Sequence, residues 1–375
     1  MSKSLSAMLA LCLLFPLVTQ ANQEVSVVTF NMYVGFDTKD MLCQCTQPKN
    51  INFTEIAKEI YDEFMGNKPL DRIDIAAREL ASRSPDFIGL QEAVKLKWPL
   101  KDTIDFLEIF LQKINQYSGQ YGKKYKALYR ENFNQGKTLS ICGIDIKASM
   151  VDREAIVYNA EYDIEKESVV TKTLSAYREP IDLGDGNQFI FKRGLLGARF
   201  KKSDGTRLTL FTTHIDEYVT GEIHDDQVKE ILQTIEPFQN DEHIVLVGDF
   251  DMEEGKDKNY EAILSLGFKD SYRMANPEDP GLTCCNLPKL DNLMPQAFQK
   301  VDLIFTKSDM WQPSLSEIIL NSRRIDVPET MLQASEIEDT LSAYSYEGGD
   351  IWVSDHYGVM TLFESPKQLA DAGKY

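Results

Sequence analysis

The chain has 375 residues, 43% hydrophobic and 26% charged, a composition that supports a buried core and excludes wholesale disorder. Forty basic residues against fifty-nine acidic ones leave a net charge of −19, which repels polyanions at long range and weakens a nucleic-acid reading. It does not abolish that reading, because a metal site can hold a phosphate locally against an acidic background.

The first residues carry a targeting pattern: Lys3, the short apolar run Leu9 to Val18, then small residues around Thr19-Gln20-Ala21. Residues 1–21 therefore read as a secretory signal peptide, and the mature protein is expected to be secreted, extracellular or periplasmic. The run is too short to span a bilayer, and no other stretch approaches the ~20 apolar residues that a transmembrane helix needs. Lipid attachment through Cys12 is disfavoured by the bulky Leu11 before it. Beyond the leader stand Cys43, Cys45, Cys142, Cys284 and Cys285, an odd number in a compartment that permits disulfides. Zinc spacing is absent, so a structural disulfide between the Cys43–Cys45 and Cys284–Cys285 loops is the favoured expectation.

Val25 to Val34 is apolar and β-branched almost throughout, as in a strand buried on both faces. Two helical stretches follow, the second with Ile73, Ala76, Ala77 and Leu80 at helical spacing. Ser84-Pro85-Asp86 breaks it before a strand over Phe87 to Leu90. Thr103 to Tyr117 predicts an amphipathic helix through Ile104, Leu107, Leu111 and Ile114. Strands are predicted at Ala155 to Tyr158, Phe189 to Phe191 and Leu195 to Phe200, the last turning at Ser203-Asp204-Gly205 into Leu208 to His214. A helix over Glu222 to Phe238, a strand over His243 to Val247, another helix, and strands at Val301 to Thr306 and Tyr357 to Phe363 complete the order. Helices alternating around two β-rich halves predict an α/β sandwich spanning 25–364, without a domain boundary and with a frayed tail over 365–375.

Polar residues recur where apolar runs end: Asn31, Glu92, His214, Asp249 with Asp251, Asp302, and Asp355-His356. One such residue is more often a cap or a turn, but eight in the same context suggest one site. Glu92, Asp249 and Asp355 are hard oxygen donors that suit Mg²⁺, with Mn²⁺ or Ca²⁺ as alternatives, and the two histidines suit proton transfer and phosphate contact. The other histidines, His224 and His243, read as exposed or locally hydrogen-bonded. Arg193, in Lys192-Arg193-Gly194, is equally readable as a phosphate contact or a solvated strand start.

The ordered segments Val28-Thr-Phe-Asn31-Met, Pro85-Asp-Phe-Ile-Gly-Leu-Gln-Glu92, Thr213-His214, Gly248-Asp-Phe-Asp251, Val301-Asp302-Leu-Ile-Phe and Ser354-Asp-His356-Tyr-Gly resemble the motifs of the endonuclease/exonuclease/phosphatase superfamily. The resemblance implies a four-layer α/β sandwich of two packed sheets flanked by helices. It implies Glu92 as a metal ligand, aided by Asn31 and Asp355, with Asn31 also orienting the phosphate. By the same resemblance His214 contacts the phosphoryl group, Asp302 orients His356 as general base, and Asp249 positions the nucleophile. Metal-assisted in-line displacement is the implied chemistry. Asp251 stands where the family usually has Asn, and a carboxylate there repels phosphate unless it binds metal or is protonated.

Within that superfamily the leader, the acidic chain and the segment Ser354 to Phe363 are most similar to the neutral sphingomyelinase-like branch, which implies cleavage of a phospholipid head group. Gly281-Leu-Thr-Cys-Cys with Leu290, Leu293 and Met294 is then a candidate membrane-facing segment. A nonspecific nuclease would need a basic groove, for which only Lys123-Lys124 to Arg130 is available. A soluble inositol or sugar phosphatase and a non-catalytic binding protein on the same scaffold stay open. The chain is expected to act as a monomer.

Overall fold

The computed structural model describes residues 24–35, 53–98, 103–135, 140–141, 144–145, 149–184, 187–216, 221–323 and 351–364. The expected leader, Cys12, Cys43, Cys45, Cys142 and the 365–375 tail lie outside the described residues.

In chain order the main strands are β1 (Glu24–Asn31), β2 (Phe87–Gln91), β3 (Lys95–Lys97), β4 (Thr103–Asp105), β5 (Tyr125–Gln135), β6 (Ser149–Asn159), β7 (Tyr162–Ile164) and β8 (Val170–Thr173). They continue as β9 (Gly194–Lys202), β10 (Arg207–His214), β11 (His243–Asp249), β12 (Lys269–Asp270), β13 (Asp302–Ser308), β14 (Gln312–Ile319) and β15 (Gly358–Glu364). The helices are α1 (Phe53–Gly66), α2 (Pro69–Arg83), α3 (Phe106–Ser118), α4 (Glu222–Ile235), α5 (Lys258–Ser265) and α6 (Ser271–Ala275).

One sheet runs β14-β15-β1-β2-β6-β3-β4, with β5 added to β6; the other runs β8-β9-β10-β11-β13-β12, with β7 added to β9. Each is mixed, with a parallel pair near its middle: β1 with β2, and β10 with β11. Period-two alternation explains how each sheet covers two cores. Along β1, Val25 and Val27 face the other sheet, while Val28 and Phe30 face α2 and α3. Along β11, Val245 and Val247 face inward, and Ile244 and Leu246 face α4 and α5. The result is the expected helix–sheet–sheet–helix sandwich.

The sheets approach each other closely at Gly89 of β2, where a Cβ would meet Val247 Cγ2 at 2.4 Å and Thr212 Oγ1 at 3.0 Å. No side chain fits there. Nearby, Gln91 Nε2 donates to Thr212 Oγ1 (2.9 Å), tying the sheets together just below their common edge.

Several boundaries differ from the sequence reading. The first strand ends at Asn31, and Met32 to Val34 form a loop whose carbonyls are held from α2. Thr103–Asp105 pairs with β3 instead of opening the helix, and Asp105 caps α3 by accepting from Glu108 N (3.1 Å). Phe189 closes a short hairpin strand, Asn187–Phe189, that does not continue to Phe191. α4 stops at Ile235 and tightens into a 3₁₀ turn, since Pro237 cannot donate a helical hydrogen bond. β3, β4, β5, β7, β8, β12 and β14 have no counterpart among the strands expected from the sequence.

Candidate active site

Topology gathers the polar strand ends. Parallel pairing puts Asn31 beside Gln91, and hence Glu92, at one end of β1 and β2; His214 lies opposite Asp249 at the matching end of β10 and β11. Antiparallel partners begin where these end, so Asp249 faces Asp302 at the start of β13. His356 enters the same edge just before β15, which pairs with β1. Residues from 31 to 356 thus meet by strand polarity alone.

Asn31 bridges the two sheets. Its Nδ2 donates to Asp249 Oδ2 (2.9 Å) and Glu92 Oε1 (3.3 Å), while its Oδ1 accepts from Tyr33 N (2.9 Å). Val34 N donates to Glu92 Oε2 (2.7 Å). Glu92 and Asp251 both hold left-handed backbone, with φ of 52° and 46°, a strain that non-glycine residues keep where the surroundings enforce it.

Two histidines flank Asp249. His214 Nε2 lies 3.6 Å and His356 Nε2 3.7 Å from Asp249 Oδ2. Asp302 Oδ2 accepts from His356 Nδ1 (2.9 Å), which leaves Nε2 facing the site. His214 is fixed differently: Arg193 Nη1 donates to its Nδ1 (2.9 Å), so the proton of the neutral ring sits on Nε2. Arg193 is itself held by Asp216 (3.4 Å), which also takes Arg178 (3.0 Å). Asp251 offers a carboxylate oxygen within 4.8 Å of His214 and Asp249 ligand atoms.

The electrostatics follow from burial among like charges. Burial and the charges of Asp355 and Asp152 push Glu92 up to about 7. Burial pushes His214 down to about 3, reinforced by the Arg193 charge, so it stays neutral at any working pH. Burial disfavours the His356 cation, but Asp302, Asp249 and Asp355 outweigh it and hold the ring well above its ordinary range. Burial would raise Asp249, yet His356, His214 and the Asn31 bond bring it below the usual carboxylate range.

The donor set fits a hard cation. Glu92, Asp152, Asp249 and Asp355 crowd one region, and the buried Asp249 Oδ1 and Asp152 Oδ1 have no hydrogen-bond partner. A carboxylate oxygen left so calls for a cation or a substrate donor.

The candidate site residues Asn31, Glu92, Arg193, His214, Asp249, Asp251, Asp302, Asp355 and His356 all lie in this one edge region. The reading missed three others. Asp152 accepts from Asn132 Nδ2 (2.8 Å) and faces Glu92 and Arg193; Met150 to Ala155 shows no apolar–polar alternation, so the sequence carries no signal for it. Asp216, two residues past His214, anchors Arg193. Arg72 of α2 is buried and donates to the carbonyls of Asn67, Met32, Val353 and Tyr33 (2.9–3.1 Å), joining the loops on both sides of the site.

Other expectations change. Leu290 is fully buried, packed in the helix-side core, whereas Leu293 and Met294 are 78% and 70% exposed. Cys284 and Cys285 are joined to each other, not to another loop. Of the two alternatives for His224 and His243, hydrogen bonding holds and exposure does not: both are buried, His224 donating from Nε2 to Phe250 O (3.1 Å) and His243 bonding Ser308 and stacking on Trp311. Lys123 pairs with Asp86 (3.2 Å) and Arg130 with buried Glu154 (3.1 Å), so neither lines a basic groove.

No family model matches the chain. No curated protein matches it either. Solved structures do, at the level of fold. An endonuclease/exonuclease/phosphatase family protein from Bacteroides thetaiotaomicron superposes with a TM-score of 0.54 at 17% identity, covering 92% of this chain and 98% of that one. One from Leptotrichia buccalis gives 0.52 at 17% identity over 90% and 98%. A mannosyl-6-phosphatase from Bacteroides thetaiotaomicron gives 0.53 at 17% identity over 90% and 99%. The chain has the sandwich fold of the endonuclease/exonuclease/phosphatase proteins.

Proposed function

We propose that this protein is a secreted, divalent-metal-dependent phosphoric ester hydrolase that cleaves the head group from a phospholipid. The observation that carries the hydrolase reading is the Asp302–His356 pair aimed at Asp249, with Asn31 and Glu92 across the same edge.

Glu92 and Asp355, with Asn31, would hold a cation such as Mg²⁺, Mn²⁺ or Ca²⁺; Asp251 is a further candidate on the His214 side. When bound, the cation supplies charge neutralisation at the phosphoryl oxygens. Asp302 holds His356 with Nε2 inward; the surrounding carboxylates favour the protonated ring, so that nitrogen takes the proton of a water placed by Asp249 only from the neutral ring, which a cation held by those carboxylates would favour. His214, kept neutral with hydrogen on Nε2, donates to a phosphoryl oxygen without bringing a competing cation. Arg193 both fixes that tautomer and adds positive charge beside the phosphate.

The lipid assignment rests on the loop between α6 and β13. Asn286 N donates to Asp355 O (2.8 Å), so the loop borders the site, and it exposes Leu293, Met294 and Phe298 at 78%, 70% and 67%. Three large apolar side chains so exposed beside a phosphoryl site suit an acyl surface. Among the described residues no helix is long and apolar enough to cross a membrane. The likeness to a sugar phosphatase favours, as second reading, a soluble phosphate ester. Incubation with sphingomyelin vesicles, plasmid DNA and mannose 6-phosphate, with Mg²⁺ or with chelator, tests all of these. Mg²⁺-dependent phosphocholine release is expected; turnover of the sugar phosphate alone moves the substrate to the second reading, and no turnover at all removes the enzyme.

A further inference from the structure

The pair Cys284-Cys285 has no part in the hydrolytic reading, yet it lies against the proposed base. Cys284 forms an antiparallel bridge with His356 on one side and Gln299 on the other. Tyr357 N donates to Thr283 O (2.7 Å) and Asn286 N to Asp355 O (2.8 Å), so residues 283–286 form the rail on which 355–357 rest. Thr283 Oγ1 accepts from Val301 N (3.3 Å) and Asp302 N (3.2 Å), fixing the same rail to the residue that orients His356. Both sulfurs and a His356 ring nitrogen lie within 4.8 Å of one another.

A tetrahedral soft cation, with bonds of about 2.3 Å to sulfur and 2.0–2.1 Å to nitrogen, sets its ligand atoms about 3.5–3.8 Å apart. In the disulfide the two sulfurs are bonded to each other and leave no seat for a cation, so the cluster becomes a ligand set only when that bond is broken and the sulfurs part to this spacing. Thiolate and imidazole are also the donors that zinc and cadmium select over the oxygen donors of the neighbouring carboxylates. Cys285 is half-buried, which gives solvent an approach to the otherwise buried Cys284 and His356.

We propose that Cys284, Cys285 and His356 form an inhibitory site for a soft divalent cation of the zinc and cadmium class, open as the dithiol and closed as the disulfide. An external dithiol opens it: the S–S bond breaks, the pair takes up two electrons and two protons, and the dithiol becomes a disulfide. On binding, both thiols release their protons to solvent and the cation takes a His356 nitrogen. Inhibition rests on the proposed role of His356; binding does not.

The test uses the full chain with C12S, C43S, C45S and C142S, leaving Cys284 and Cys285 as the only thiols of its six cysteines. It is reduced with a dithiol, desalted, and titrated with Cd²⁺ while the ultraviolet cadmium–thiolate charge-transfer band is followed. The band should saturate at about one Cd²⁺ per chain, stay absent from the oxidised chain, and vanish in reduced C285S. His356→Ala should weaken Cd²⁺ binding at least about tenfold, as loss of a ligand does. With Mg²⁺ in excess, hydrolysis by the reduced chain should fall at least about tenfold at one equivalent, and that of the oxidised chain should hold. No band in the reduced chain overturns the site, and an unchanged affinity in His356→Ala overturns the place of His356 in it. Absence of hydrolysis in both redox states would count against the proposed function alone, leaving the band to decide the site.

Discussion

At the scale of single residues, the site works by assigning protons. Asp302 accepts from His356 Nδ1 and leaves Nε2 facing the site; Arg193 donates to His214 Nδ1 and leaves a hydrogen on Nε2. Asp302→Asn keeps the shape but removes the charge that steadies the imidazolium, so kcat should fall by about two to four powers of ten with KM little changed. A rate within threefold of the parent would show that the pair does not transfer the proton. Arg193→Met removes the charge that helps hold His214 down at about 3, so its ring should titrate closer to the ordinary histidine range. Histidine NMR would register the change, and an unshifted ring would reassign the depression to burial. These residues were legible as strand-end polar positions because each is followed or preceded by an apolar run. Asp152 and Arg72 were not, since a charged residue in a strand or on a helix reads as solvent-facing until its burial is known.

At the scale of elements, the sandwich depends on how closely β2 approaches β10 and β11. Gly89→Ala drives a Cβ into Val247 and Thr212, and the overpacking should cost about 1–3 kcal/mol, measured by urea denaturation. An unchanged midpoint would mean the sheets are free to part. α2 contributes Arg72, whose guanidinium serves four loop carbonyls. Arg72→Leu should cost about 3–5 kcal/mol and lower metal affinity through the loosened 32–34 loop. Strands with long apolar runs, such as β1, β10 and β11, could be read because both faces are buried. β5 could not: Tyr125-Lys-Ala-Leu-Tyr-Arg-Glu carries charges that only the partner strand β6 explains, through Arg130 and Glu154. The α3 boundary failed for a related reason, since pairing with β3 claims Thr103–Asp105 before the helix can.

At the scale of the whole molecule, charge and stability are coupled through the site. Glu92 at about 7, against 4.5 for an ordinary glutamate, binds a proton more tightly folded than unfolded. Its contribution is therefore fully present below pH 4.5 and is lost as the pH rises through about 7, by on the order of 1–3 kcal/mol. Thermal unfolding without metal should show this decline and Mg²⁺ should reverse it. Glu92→Gln should flatten both responses, and an undiminished Mg²⁺ shift in that variant would place the cation elsewhere. On the outer surface, replacing Leu293 and Met294 by Asp should reduce hydrolysis of vesicle-borne lipid at least about tenfold while sparing a soluble ester. Equal losses on both substrates would make the loop part of the catalytic edge and not a lipid contact. The central claim is that a cation and His356 act on one phosphate at one sheet edge. It is tested most directly by hydrolysis of a soluble phosphodiester by the parent and by His356→Ala, each with Mg²⁺ and with chelator. The parent should turn over only with Mg²⁺, and His356→Ala should be slower by at least about a hundredfold while still binding Mg²⁺. Chelator-insensitive turnover, or a His356→Ala rate equal to the parent's, would contradict it.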